Sequence, residues 1–514
     1  MSLLLGLDIS TTGAKALLID STGHVIAEAF TEYPMLSPAP LWAEQDPESW
    51  WRAAIRSIRA VLRTDGISPD QITGIGLTGQ MHGLVLLDAH GDVLRPCIMW
   101  NDQRTAAQCS AYTKKIGLTR LLELTGNPLL PGFTAPKVAW VRENESEVAG
   151  RIGKILLPKD YIRYRLTGQY FTEVSDASGT LLFDVARRRW SDEMLRVFRV
   201  KRSWLPEVTE SPVASAQVSQ EAASTTGLRA GTLVVGGAGD QAAGAVGVGA
   251  ISEGIVSVVI GTSGVVFASC RDFRYEPEGR LHAFCHASPG VWHVMGVMLA
   301  AGGSFRWYRD TLGEVERRRA ERQGDDAYDL LTRSAATVPA GAAHLFFLPY
   351  LSGERTPYPD PNARGVFFGL NLKHTRAHLT RAVLEGVSFG LRDSLELIRA
   401  MRVPVREIRV VGGGARSALW RQILADVFEE PIHTVNVTQG AAFGAALLAG
   451  VGAGVYASVE DACNKAVHAK QAAVPGKDAA VYQRHYPHYQ ALYKALKDEF
   501  KAMAELQEEE ATGN

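Results

Sequence analysis

An excess of either charge is missing from this chain. The 54 Lys and Arg stand against 55 Asp and Glu, a formal net charge of -1, so no basic surplus is available to neutralise a phosphate backbone and no nucleic-acid partner is expected. Cysteine is scarce. Cys97, Cys109, Cys270, Cys285 and Cys463 are scattered over 514 residues, without the dense even spacing of a secreted disulfide framework, which fits a reducing compartment. Long apolar runs are also missing. The least polar stretch, AAFGAALLAGVGAGVYA at 441–457, is shorter than a bilayer span and built of Ala and Gly rather than Leu, so it reads as a buried helix followed by a turn and no membrane contact is expected. The opening MSLLLGLDIS carries no basic n-region and brings an acid at Asp8, which excludes a signal peptide reading. Together these absences predict a cytoplasmic protein.

What is present is a repeated shape. A chain of 514 residues exceeds what one hydrophobic core organises, so at least two domains are expected. The segment LLLGLDISTTGAKALLIDSTGHVIAEA near the start reads as strand, tight polar turn and two further strands, and IVSVVIGTSGVVFASC at 255–270 has the same form. Aligned, Ser10-Thr11-Thr12-Gly13 falls opposite Gly261-Thr262-Ser263-Gly264. A duplication at half the chain length and two unrelated hairpins both account for this. Strand-like runs at 72–77, 233–235 and 408–411 alternate with helical patterns such as Leu419, Trp420, Ile423, Leu424, Val427 and Phe428, an α/β signature. The expected division is 1–247, 248–475 and a C-terminal piece, 476–514, whose helix is entered at Pro487 and closes in a solvated tail, QEEEATGN.

The chemistry-bearing residues lie in the turns. No G-x-x-x-x-G-K-[ST] motif is present, which excludes a P-loop. The two Thr/Ser/Gly turns offer backbone N–H groups and hydroxyls to an anion instead, or are turns and nothing more. Asp8 precedes the first turn where Val259 precedes the second, an asymmetry suited to one carboxylate for one metal. Gly412-Gly413-Gly414-Ala415-Arg416 ends a strand and opens a helix, where backbone can approach a flat ligand or a phosphate, or where the glycines serve a sharp strand-to-helix turn and nothing more. Asp240, in VVGGAGDQAAG, is a lone acid among small residues and reads equally as a general base or a helix N-cap. Gln80-Met81-His82 after the strand at 72–77, and Trp100-Asn101, offer the mixture of aromatic and polar groups by which sugars are typically gripped, or are structural, as a lone His or Trp more often is. His282, Cys285, His286 and His293 match no common zinc spacing.

These segments together resemble the FGGY carbohydrate kinases, of the actin, hexokinase and Hsp70 superfold, over nearly the whole chain. GFTAPKVAWVREN at 132–144 looks like the first family signature, and GVFFGL at 365–370 running on to AVLEG at 382–386 looks like the second. QMHG at 80–83, LPKDY at 157–161, SDASGT at 175–180 and LPYLSGERTP at 348–357 resemble the xylulose-specific branch more than the glycerol-specific one. The resemblance implies two duplicated ribonuclease H-like domains around a cleft, the first holding sugar and the second ATP, with a homodimer plausible. It makes Asp240 the proton acceptor and Asp8 the Mg2+ carboxylate, and puts Met81 and His82 on the sugar. It sets Gly261, Thr262, Ser263 and Gly264 with Thr11, Thr12 and Gly13 at the phosphates, and Gly302 with Gly412, Gly413, Gly414, Ala415 and Arg416 along the nucleotide. Two positions depart from the family pattern: Ser10 stands where Gly is usual, and Gln241 follows the base where the xylulose branch has Asn.

Overall fold

The structure, a computed structural model, describes residues 2–512. Its first sheet is seven-stranded and built from β1 (Leu3–Ile9), β2 (Gly13–Asp20), β3 (Val25–Glu32), β4 (Ile72–Gly79), β5 (Ala214–Gln217), β6 (Leu233–Val235) and β7 (Ala238–Gly239). A second seven-stranded sheet contains β8 (Gly254–Ile260), β9 (Gly264–Cys270), β10 (His282–Cys285), β11 (Trp292–Met298), β12 (Val405–Val411), β13 (Ile432–Val435) and β14 (Ala469–Ala473).

The repeat seen in the sequence is a repeat of topology. β1 runs antiparallel to β2 and parallel to β4, and β8 runs antiparallel to β9 and parallel to β12. Outward on one side, β6 continues parallel and β5 closes antiparallel, as β13 and β14 do in the second sheet. Ile9 faces Ala14 across the first tight turn and Ile260 faces Gly264 across the second, so the two turns occupy equivalent places and the duplication reading prevails over coincidence. The central strands are apolar on both faces, Leu3, Leu5, Leu7 and Ile9 in one sheet and Val256, Val258 and Ile260 in the other, because helices cover both sides.

Two of those helices join the halves. α1 (Asp240–Gly247) follows β7, and α2 (Ala441–Gly452) follows β13. The latter is the uncharged run at 441–457, helical to Gly452 and turned at Gly454 with φ 74°. It crosses the first sheet, not its own. A Cβ on Gly6 would lie 1.9 Å from the Ala442 carbonyl oxygen, and one on Gly76 1.9 Å from that of Ala445. α1 in turn meets α2 backbone to backbone, since a Cβ on Gly444 would sit 1.8 Å from the Ala243 oxygen. Ala245 and Val248 pack beside Val265 and Phe267 of the second sheet, so each half lends a helix to the other.

The C-terminal segment corrects one expectation. Its helix, Ala479–Thr512, begins before Pro487 and carries that proline inside. Tyr482, Tyr486 and Tyr489 pack on Phe389 at ring centroid distances of 5.9, 6.0 and 5.2 Å, and this burial outweighs the ~3 kcal/mol that an interior proline costs a helix. The expected tail is helical as far as Thr512; Gly513 and Asn514 lie outside the described residues. Among the described residues, no helix is long and apolar enough to cross a membrane.

This packing makes a direct prediction. Gly76→Ala and Gly444→Ala should each lower stability by about 1–3 kcal/mol or more, because the clash is with backbone that cannot rotate away. Gly150→Ala, where a Cβ meets nothing within 4 Å, should leave the melting temperature unchanged. Equal melting curves for all three would contradict the backbone contact.

Candidate active site

Strand register fixes the geometry of the site. Asp8 on β1 faces Thr78 on β4, and Thr78 faces Ala238 on β7, so Asp8 and Asp240 emerge from strands on either side of β4 and point into one opening. Both line a cavity of about 530 Å³ together with Ser10, Gln241, Ser257, Gly412, Gly413, Arg416, Thr434 and Thr438. Asp240 is the first residue of α1, and Gly239 holds the cap position with no side-chain hydrogen bond. The N-cap alternative for Asp240 therefore fails, and its carboxyl group is left to the cavity.

Burial sets the electrostatics here. Desolvation pushes Asp240 up to about 6, against the pull of the Gln241 backbone and amide. It pushes Asp8 up to about 7, with the Asp240 charge raising it further and Lys15 opposing. Two carboxyls sharing a low-dielectric space are costly to ionise together without a cation. One Asp8 oxygen, Oδ1, is buried without a hydrogen-bond partner among the described residues. A carboxylate with an unsatisfied buried oxygen at the wall of an open cavity fits Mg2+, which takes few protein ligands and fills its shell with water and phosphate oxygens.

The first turn is tied from several directions. Ser10 Oγ donates to the Gly13 carbonyl at 2.8 Å and accepts from Gly13 N–H at 3.3 Å, so its hydroxyl closes its own turn although the residue lines the cavity. Trp100 Nε1 donates to Thr11 Oγ1 at 2.9 Å, and Gln45 Nε2 donates to the Thr11 carbonyl at 2.8 Å. Gln80 Nε2 donates to Gln45 Oε1 at 3.1 Å. Trp100 and Gln80 thus brace the turn bearing Thr11, Thr12 and Gly13. Asn101 goes elsewhere, into a surface crevice with Met35, Pro38, Leu41 and Gln103, its Nδ2 3.6 Å from Met35 Sδ.

Met81 and His82 follow the end of β4 beside the acid. A Cβ on Gly239 would lie 2.9 Å from Met81 Cγ, so Met81 packs against the residue preceding Asp240. His82 adopts φ 70°, a left-handed conformation that a non-glycine residue holds only under constraint. Lys137 Nζ and Thr134 Oγ1 supply the constraint, donating to the His82 carbonyl at 2.9 and 3.0 Å. The motif at 132–144 therefore contributes a buried ammonium that sequence reading left without a role. Behind Gly239 stands a second support, in which its N–H donates to Ser175 Oγ at 3.1 Å and Ser175 Oγ donates to Glu173 at 3.0 Å. Lys159, fully buried, pairs with Asp160 and Asp176 at 2.7 and 3.2 Å. Their sequence signal is ionisable residues in apolar surroundings, legible only once the partners are known.

A second cavity of about 650 Å³ adjoins the first through Gly413 and Arg416. Gly261, Thr262, Gly302, Gly303, Gly414 and Trp420 line it. Three glycine loops converge there: Ala301 and Gly303 N–H groups both donate to the Thr262 carbonyl at 3.0 Å, and Gly412, at φ 89°, leaves a Cβ position 2.6 Å from the Ile260 oxygen. Ser263 sits exposed at the turn tip, Gly264 faces Leu391 in the core, and Ala415 lines the first cavity.

Comparison with known proteins gives this geometry a family. Residues 3–247 match the FGGY family of carbohydrate kinases, N-terminal domain, and residues 256–453 match the C-terminal domain of the same family. The chain is 42% identical over 448 residues to a xylulose kinase of Klebsiella pneumoniae, covering 87% of this chain and 89% of that one. It superposes on a crystal structure of a xyloylose kinase from Brucella ovis with a TM-score of 0.87 and 40% identity, over 96% of this chain and 99% of that chain. A gluconate kinase from Lactobacillus acidophilus matches with a TM-score of 0.90 and 27% identity, over 98% and 99% of the two chains. With both halves matched and a cleft carrying two acids between them, the chain belongs to the FGGY family of carbohydrate kinases.

Proposed function

We propose that this protein transfers the γ-phosphoryl group of ATP to the terminal hydroxyl of D-xylulose, with Asp240 as proton acceptor. The observation that carries this reading is the pairing of Asp8 and Asp240 across β4 in one cavity that opens onto a glycine-lined second cavity. The xylulose kinases among its relatives, at about 40% identity over most of the chain, support the ketose. The gluconate kinase likeness supports a second reading, an aldonate acceptor. The first half, 1–247, supplies the acid pair and the sugar contacts Met81 and His82, and the second, 248–475, supplies the nucleotide loops.

Asp240, ionised, accepts the proton of the C5 hydroxyl while that oxygen attacks the γ-phosphorus. The new O–P bond forms as the bond to the β-phosphate oxygen breaks, leaving ADP and D-xylulose 5-phosphate. Because such transition states are loose, holding the hydroxyl in line matters as much as basicity. Asp8 would hold Mg2+, which supplies charge neutralisation at the phosphates when bound. The Thr12 side chain on one side and the N–H groups of Thr262 and Ser263 on the other meet the phosphate oxygens, the Thr12 and Gly13 N–H groups being turned to Ser10 Oγ. Cleft closure removes water, a competing acceptor.

Asp240→Ala should lower kcat by about 10²-fold or more while ATP binding persists, measured by coupled ADP release; near wild-type turnover would remove Asp240 from this role. A panel of D-xylulose, D-ribulose, glycerol and gluconate in the same assay decides the acceptor, and D-xylulose should give the highest kcat/KM. For wild type, kcat/KM should fall as pH drops through about 6, where Asp240 takes up a proton.

Stability should move the other way. Asp8 and Asp240 both titrate higher in the fold than in the unfolded chain, so their contribution is fully present below about pH 4 and lost as pH rises through about 6 and 7. Asp240→Asn should therefore raise the melting temperature of the Mg2+-free protein at pH 7.5 and change it little at pH 4.5. A lower melting temperature at pH 7.5 would count against charge repulsion in the cavity.

A further inference from the structure

Beside Met81 and His82 lies a set of groups from the second half of the chain that the reaction described above does not use. His82 packs on Phe133 with ring centroids 4.3 Å apart, Phe133 on His282 at 5.7 Å, and His282 on Phe284 at 5.9 Å. His282 opens β10, at the edge of the second sheet. This aromatic cluster therefore spans both halves of the molecule.

Hydrogen bonding fixes the protonation of both imidazoles. His82 Nδ1 lies 2.7 Å from the Gly179 carbonyl oxygen, which only accepts, so Nδ1 carries the proton. His282 Nδ1 lies 2.9 Å from Asn127 Oδ1, and the Asn127 amide is oriented by Nδ2 donating to the Thr125 and Ala283 carbonyls at 2.8 Å each. His282 Nδ1 is thus a donor as well. Burial holds both rings neutral, His82 pushed down to about 3 and His282 well below its ordinary value. Each Nε2 is then a lone-pair acceptor, and among the described residues neither has a protein donor.

The cation that faces them comes from the motif at 348–357. The Glu354 carboxylate accepts from Leu299 N–H at 3.0 Å and Arg355 N–H at 2.8 Å. Thr356 is bound into the sheet, its N–H donating to the Val297 carbonyl at 3.1 Å and its Oγ1 donating to the Arg280 carbonyl at 2.9 Å. Arg280 precedes His282 by two residues, and His282 pairs with Met295 on the strand that carries Val297. Arg355 is therefore anchored beside His282 by backbone on both sides. Its guanidinium makes no ion pair or hydrogen bond among the described residues, since Glu354 is turned toward backbone N–H groups. Its charge reaches both imidazoles, lowering His82 and His282 alike.

We propose that Arg355 and His282 bind the C1–C2 end of the ketose, Arg355 donating to the C2 carbonyl oxygen and His282 Nε2 accepting from the C1 hydroxyl. The chemistry is complementary: a planar donor for a carbonyl, a neutral acceptor for a hydroxyl, and phenyl faces of Phe133 and Phe284 for the C–H edge of the sugar. In this assignment the end recognised is C1–C2, which leaves the C5 hydroxyl to Asp240. This inference rests on the kinase reading and deepens it by assigning specificity to residues of the second half.

The test combines kinetics with binding in the absence of nucleotide. Arg355→Met should raise KM for D-xylulose about 10- to 100-fold, the scale of one lost hydrogen bond to a charged group, with KM for ATP unchanged. His282→Phe, which keeps the ring stack and removes the acceptor, should raise KM for D-xylulose and narrow the preference for D-xylulose over 1-deoxy-D-xylulose, which lacks the C1 hydroxyl. D-Xylulose alone should raise the melting temperature of the wild type and not of Arg355→Met. A wild-type KM and thermal shift in Arg355→Met would overturn the proposal. Should that variant fail to fold, Arg355→Lys, which retains the charge and loses the planar fork, decides it: a several-fold rise in KM supports the role and an unchanged KM refutes it. If the wild type binds D-xylulose without releasing ADP, the kinase reading falls and the binding assignment stands on the thermal shift; if it does neither, both fall.

Discussion

Everything in this molecule is hung on two helices that touch without side chains between them. α1 and α2 meet at Gly444 and the Ala243 carbonyl, and α2 lies on the first sheet at Gly6 and Gly76 with no space for a methyl group. Such backbone contact leaves little freedom to slide, because interiors are close-packed and a shift of an ångström meets hard repulsion. The consequence reaches the chemistry directly. Asp240 is the first residue of α1 and Asp8 lies on a strand under α2, so the seating of the helices backs the relation between the acids that strand register sets.

The acids themselves are the second constraint. Desolvation holds both above the ordinary carboxylate range, and Asp240 adds to the shift of Asp8. A fold selected for stability alone would not bury two like-charged groups in one cavity. A ligand of opposite charge would relieve that cost, and a carboxyl titrating near 6 is still ionised at neutral pH while basic enough for the role proposed for Asp240.

How much of this was legible in the sequence depended on whether the signal was local. The tight turns at Ser10–Gly13 and Gly261–Gly264 could be read, since Thr, Ser and Gly between β-branched runs have few other uses, and their pairing gave the duplication. The run at 441–457 could be read as buried, but not as the helix that crosses to the other half, because nothing in a row of Ala and Gly says which sheet it will cover. Pro487 misled for a related reason: its local cost is real, and three tyrosines packing on Phe389 exceed it. Asn101 shared a motif with Trp100 and still went to a different crevice, since adjacent side chains after a strand diverge. Lys137 and Glu173 support the site through groups far away in the chain, the His82 carbonyl for one and, by way of Ser175, the Gly239 N–H for the other.

Division of the proposed sugar contacts between halves would have a mechanical consequence. Met81 and His82 follow a strand of the sheet that carries Asp8, while His282 lies in the sheet whose loops line the second cavity and Arg355 precedes Thr356, which is hydrogen-bonded to that sheet. A ligand held from both sides draws them together, and its binding energy is spent on closing the cleft rather than on affinity alone. Glu354 ties this to the nucleotide side, because the carboxylate that orients Arg355 also holds Leu299 N–H, three residues before Gly302. An acceptor too short to span the cluster would reach Asp240 without engaging Arg355, and would leave the glycine loops unshifted. Water is the shortest acceptor of all, so an arrangement that recognises the far end of a sugar as proposed would also disfavour idle hydrolysis of the phosphoryl donor.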